Sequence, residues 1–214
     1  MRNIKKLLKR AGIVVGMSIV AIELHEMGHL LAYRLMGYSA TMSLQRVMPV
    51  PDVPTGVDQI AKLAGPVASF IAAAVFYVWA RQRSNFALTT AAFTNATLRL
   101  FPLIMDIRRA IDLSTPFSDE GEVALALAHS AGGRIAVLLV FVALSLVLAL
   151  AAARAFPFPR YRVFKVLGVY AVSLCIGISV LLTDELMGWD RPKQAEIARP
   201  GLCAPATAPA TGRT

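Results

Sequence analysis

Residues 11–36 read AGIVVGMSIVAIELHEMGHLLAYRLM. An apolar run of this length exceeds the roughly 20 residues that cross a hydrocarbon layer, yet from its middle onward it carries Glu23, His25, Glu26 and His29. A charged side chain near the centre of a membrane helix costs about 2.5–3.5 kcal/mol on the insertion scale. Two glutamates in such a run therefore point to a function that requires them. Working outward, the chain of 214 residues is 57% hydrophobic and 16% charged, with a mean hydropathy of +0.61. A soluble domain usually holds about 45–50% apolar and roughly 25% charged residues, so the composition points to a membrane protein.

Four more apolar runs follow, at 60–80, 86–105, 135–153 and 166–183, the third being the most polar. Arg134 and Arg154 bracket the fourth, and Lys165 and Asp184 bracket the fifth. The expected fold is all-α, a polytopic transmembrane helix bundle of about five spans. It divides into a basic N-terminal segment (1–10), a membrane domain (11–183) and a polar tail (184–214) whose Pro-, Ala- and Thr-rich end predicts disorder. MRNIKKLLKR followed by an apolar run has the form of a signal peptide, but no small-x-small cleavage site follows, so an uncleaved span is expected. Two cysteines, Cys175 and Cys203, make neither a disulfide framework nor a CxxC metal site.

A formal net charge of +9 invites a nucleic-acid role, which needs basic residues gathered on one soluble face. They are distributed otherwise. Arg2, Lys5, Lys6, Lys9 and Arg10 precede the first run, Arg81 and Arg83 follow the second, and Arg154, Arg160, Arg162 and Lys165 follow the fourth. In a five-span chain these segments share one side, while the other side holds chiefly Arg46, Arg108 and Arg109. The bias predicts a multi-pass protein of the cell (inner) membrane with a cytoplasmic N-terminus and an external C-terminus. Its partner is then the lipid bilayer, not nucleic acid.

Within the first run, HEMGH places His25 and His29 one helical turn apart on one side, with Glu26 about 100° round from His25. Two imidazoles so spaced can ligate one zinc ion, and the intervening glutamate can polarise a metal-bound water for amide hydrolysis. In a chain with three His and six Glu, chance would produce such a motif on the order of one time in a thousand. Glu23, three residues before Glu26, either orients a ligand histidine or reaches the cavity without a specific role.

These residues resemble the site-2 protease family of intramembrane zinc metalloproteases. HEMGH in an apolar span is one point of likeness, and AGPVASF at 64–70 is similar to the family's Ala-Gly-Pro-Leu-Ala-Asn-Phe signature, with Ser69 where Asn is usual. The family's last zinc ligand comes from a later Asp. Asn95 and Pro102 before Asp106 keep the family's order with wider spacing, whereas PFSDEGEV at 116–123 is similar to its Pro-Pro-Leu-Asp-Gly-Gly-Arg-Val run and offers Asp119. Asp119 is preferred, because more of its surroundings match and a short amphipathic helix is expected after it.

The resemblance implies a zinc-dependent endopeptidase with one Zn2+ per chain, held by His25, His29 and either Asp119 or Asp106, with Glu26 as general base. Gly65, Pro66, Asn95, Arg99 and Glu23 would bind substrate or support the ligands. The substrate would be a membrane protein, typically single-span, cut in or near the bilayer. The alternative is a catalytically silent protein of the same fold that binds or regulates a partner.

Spans that alternate in direction bring HEMGH, Gly65-Pro66 and both aspartates to one membrane face. Segment 38–58 is too Pro-rich for a helix and is expected to be a short β-hairpin, a re-entrant segment or a connecting loop. His129 is expected at an interface rather than as a ligand.

Overall fold

The structure is a computed structural model that describes residues 2–43, 46–50, 53–157 and 162–187. Helix α1 (Arg2–Leu35) leads into a hairpin of β1 (Ser39–Met42) and β2 (Val47–Val50). There follow α2 (Thr55–Arg83), α3 (Phe86–Thr97), α4 (Leu100–Ile111), α5 (Asp119–Leu127), α6 (Ala131–Ala155) and α7 (Arg162–Met187). The architecture is mostly helical, as expected, with one small antiparallel sheet.

Local chemistry sets the boundaries near the site. Gly37 takes the left-handed conformation (φ 85°), its N–H donates to the Arg34 carbonyl, and the Tyr38 N–H donates to that of Tyr33. This pair of bonds closes α1 in a Schellman motif, for which Gly is the favoured residue. The chain then turns at once into β1, where Ser39 pairs with Val50 and Met42 with Val47. The hairpin expected within 38–58 thus lies directly beside the end of the HEMGH helix. Ser118 and Ser130 cap α5 and α6, each accepting a backbone N–H from the helix it precedes.

Five spans give way to three. Only α2, α6 and α7 are, among the described residues, long and apolar enough to cross a membrane. The expected third span breaks at Leu98 and Arg99 into α3 and α4, each of 12 residues. Each piece is about 18 Å long, short of the roughly 30 Å of hydrocarbon. The expected first span lies within the 34 residues of α1, whose opening turns are basic and whose second half carries the HEMGH polar groups.

Residues 89–97 of α3 are buried throughout. Its hydroxyls are satisfied by its own helix: Thr89 donates to the Asn85 carbonyl, Thr90 to Phe86 and Thr97 to Phe93. Ala92, Phe93 and Ala96 join Val14 of α1, Ala73 of α2, Ala149 and Ala152 of α6, Phe156 just after α6, and Val169 of α7 in the main apolar core. A second core joins Leu103 and Ala110 of α4 to Ala124 of α5 and Leu138 of α6. Between them these cores position α1, α2 and α5 around the buried polar groups. α7 continues as helix to Met187, past the expected boundary at 183, and the remainder of the expected disordered tail lies outside the described residues.

Candidate metal centre

His25, Glu26 and His29 are all buried, and their ligand atoms lie within 4.8 Å of one another, a group able to hold a metal ion. The helical spacing brings Nε2 of His25 to 3.1 Å from Nε2 of His29, with the rings nearly perpendicular. Helix α2 fixes both rings from behind. Nδ1 of His29 donates to the Ala61 carbonyl at 2.7 Å, and because a carbonyl only accepts, the neutral ring carries its proton there and turns an Nε2 lone pair inward. Nδ1 of His25 lies 3.1 Å from the Ser69 hydroxyl.

This close approach of α1 to α2 depends on small residues. A side chain on Gly65 would run into the His29 imidazole, and one on Gly28 would meet the Ala64 carbonyl oxygen at 2.6 Å and the Ala68 Cβ at 2.7 Å. Gly65 and Pro66, chosen from the sequence motif, are therefore buried against the HEMGH helix. Pro66 has no N–H to give the Lys62 carbonyl.

The two aspartates part company. Oδ2 of Asp119 lies 3.2 Å from Nε2 of His25 and 3.4 Å from Nε2 of His29. Asp106 instead accepts the N–H of Phe117 at 2.5 Å, the N–H of Ser118 at 3.0 Å and the Ser118 hydroxyl. Gly121 packs flat against its carboxylate, since a Cβ there would sit 2.6 Å from Cγ of Asp106. Asp106 thus holds the start of α5 in place, and with it Asp119.

Arg99, in the break between α3 and α4, donates from Nη2 to Oδ2 of Asp119 at 3.1 Å and grips Glu120 through Nε and Nη2. Burial raises the Asp119 and Glu120 carboxyl pKa values, but hydrogen bonding to the His25 and His29 rings when these are protonated, together with the Arg99 charge, outweighs it at Asp119, and Arg99 outweighs it at Glu120. Both are held below the ordinary carboxylate range.

A cavity of about 300 Å³ opens beside the cluster, lined by Glu26, His29 and Asp119 on one side and by Val47, Met48 and Pro49 of β2 on another. Its wall includes Tyr33, whose hydroxyl donates to Asp58 at 2.5 Å, and Lys62, which pairs with Asp58 at 2.6 Å and with Glu122 of α5. Asn95 donates through Nδ2 to the Ala91 carbonyl at 2.8 Å, leaving its buried Oδ1 with no partner among the described residues. Glu23 is half-buried and stands outside the group of three, and His129 is exposed between α5 and α6.

Sequence reasoning missed Ser69, Glu120 and the Tyr33–Asp58–Lys62–Glu122 chain. A signal existed for the first two: each stands where the resembled motif has another residue, Asn for Ser69 and Gly for Glu120. No protein-family model, curated protein or solved structure matches this chain.

Proposed function

We propose that the protein is a zinc-dependent endopeptidase that cuts membrane-protein substrates in or near the bilayer, as its resemblance to the site-2 proteases implies. The observation that carries this reading is the convergence of His25, His29 and Asp119 beside Glu26 and a cavity. Donors at about 2.0–2.1 Å from a tetrahedral zinc stand about 3.3 Å from one another. The Nε2–Nε2 and two Nε2–Oδ2 separations are 3.1, 3.2 and 3.4 Å. Three electron-rich atoms this close repel unless a proton or a cation lies among them, so the donor set fits a metal.

His25, His29 and Asp119 would hold one Zn2+ per chain. When bound, zinc supplies a Lewis acid that polarises the scissile carbonyl and makes water nucleophilic near neutral pH. Glu26 accepts the proton that the attacking water releases and passes it to the departing amine nitrogen, ending in its starting state. The rim formed by Val47, Met48 and Pro49 would let an extended peptide lie along β2 through backbone hydrogen bonds. A single-span substrate must unwind first, because helical hydrogen bonding shields its carbonyls.

The apolar outer faces of α2, α6 and α7 fit a membrane protein. The multi-pass reading with a cytoplasmic N-terminus draws support from one end of the molecule. There Arg10 stacks on Phe86 just after Arg81 and Arg83, and Phe156 just after Arg154 packs on Phe86 and Phe93.

Zinc content of the purified full chain and cleavage of a reconstituted single-span reporter test the proposal together. Glu26→Gln should retain about one zinc per chain and lose cleavage by about 10²–10⁴-fold. Zinc-free wild type, or undiminished cleavage by the variant, would refute it.

A further inference from the structure

One contact of Arg99 falls on an atom with another task. Its Nη2 donates at 3.1 Å to Oδ2 of Asp119, the same oxygen that faces His25 and His29. A lone guanidinium there would compete for the oxygen's lone pairs and repel any divalent cation. Glu120 answers that charge. It is fully buried, and it takes two hydrogen bonds from Arg99, Nε to Oε1 at 2.9 Å and Nη2 to Oε2 at 2.6 Å. Such a fork fixes the plane of the guanidinium as well as its position. Burying an ion pair has no general advantage over a packed apolar pair for stability, so its retention beside Asp119 calls for a local reason.

We propose that Arg99 and Glu120 form a positioning pair for the metal site: Glu120 neutralises and orients the guanidinium, and the oriented guanidinium turns Oδ2 of Asp119 toward His25 and His29. The inference rests on the zinc-protease reading and assigns these two residues a task within it. Arg99 and Glu120 cancel in charge, so Asp119 keeps its full negative charge for a cation. Charge and orientation are separable. Removing the Glu120 charge leaves Arg99 to offset Asp119, whereas replacing both residues with apolar ones preserves net charge and loses only the orientation.

The test uses the full chain in detergent with zinc alone as probe, its dissociation constant read by chelator competition and metal-free stability read by melting temperature. Glu120→Gln should weaken zinc by about 10–100-fold, the range for partners that orient metal ligands, and Glu120→Asp, which keeps the charge, should recover most of that loss. The Arg99→Met/Glu120→Met double variant should melt near the wild type and bind zinc about tenfold more weakly. Equal weakening by E120Q and E120D would overturn the charge argument. Wild-type zinc affinity in the double variant would reduce the pair to a structural tie between the α3–α4 break and α5 and overturn the proposal. A wild type that binds no zinc at all would instead bring down the protease reading beneath it.

Discussion

Helices α3 and α6 invert the usual relation between polarity and burial. α3 reads FALTTAAFTNAT, and its residues 89–97 are all buried. α6 reaches a mean hydropathy of 3.1 over 18 residues, yet Leu139, Val140, Leu144, Leu146, Val147 and Leu150 are exposed. In water the ordering would be reversed, because the apolar helix would be the one to bury. Where the surroundings are hydrocarbon, apolar surface has no reason to leave them, and buried polar groups are acceptable once hydrogen-bonded. The difference teaches that in this chain polarity marks the interior, where the candidate metal centre lies.

Glycines sharpen the contrast most strongly. Gly65 faces the interior with the His29 ring where a Cβ would go, while Gly168 of α7 has nothing within 4 Å. Gly65→Ala should force His29 from its place against Ala61, abolish zinc binding and add an overpacking cost of about 1–3 kcal/mol. Gly168→Ala should leave zinc unchanged and gain up to about 1 kcal/mol of helix stability. Zinc content and melting temperature of the two variants check this pair. Full zinc in G65A would mean that the imidazole does not lie against α2.

A charge placed on the outer layer acts on insertion rather than on the metal centre, so its functional effect should be smaller. Val147 of α6 is 64% exposed, a position where arginine is harmless in water. Against lipid, Val147→Arg should cost about 2.5–3.5 kcal/mol of insertion free energy. An insertion assay on α6 carrying the substitution reads this directly. A neutral result would break the comparison, since the exposed face of α6 would then not be a lipid face.

The same inversion explains what could be read in advance. HEMGH was legible because a four-residue spacing on a helix is local geometry, and α6 and α7 were legible because no charge lies within their apolar runs. The third span was not. Hydropathy averaged over 86–105 passes across Leu98 and Arg99 without registering that the helix stops there, and Thr, Asn and Arg read as a weak span when they mark an interior helix and the break after it. The two aspartates were separable only in part. Motif likeness favoured Asp119, but the work of Asp106, holding Phe117 and Ser118 so that α5 starts beside the histidines, depends on contacts across a loop that no spacing encodes. Glu120 stood out only as a departure from the motif, and its pairing with Arg99, 21 residues away, was not legible for the same reason.

The smallest expected effect lies at the seam between the two layers. Ser18 of α1 and Ser173 of α7 are both fully or almost fully buried, with hydroxyls hydrogen-bonded at 3.0 Å, and Ser18 also donates to the Val14 carbonyl of its own helix at 2.8 Å. A hydroxyl pair between membrane helices is worth about 0.6 kcal/mol on average, because the separated helices satisfy their hydroxyls locally. Val14 already offers Ser18 that local partner. The double-mutant cycle of Ser18→Ala and Ser173→Ala should therefore give a coupling near 0.6 kcal/mol in unfolding from detergent, with zinc content unaffected. Strictly additive single effects would mean that the two hydroxyls do not meet and that apolar packing alone joins α7 to α1. A coupling several times larger would mean that the seam is as specific as the interior, and that the division between a polar inner layer and a lipid-matched outer one is drawn in the wrong place.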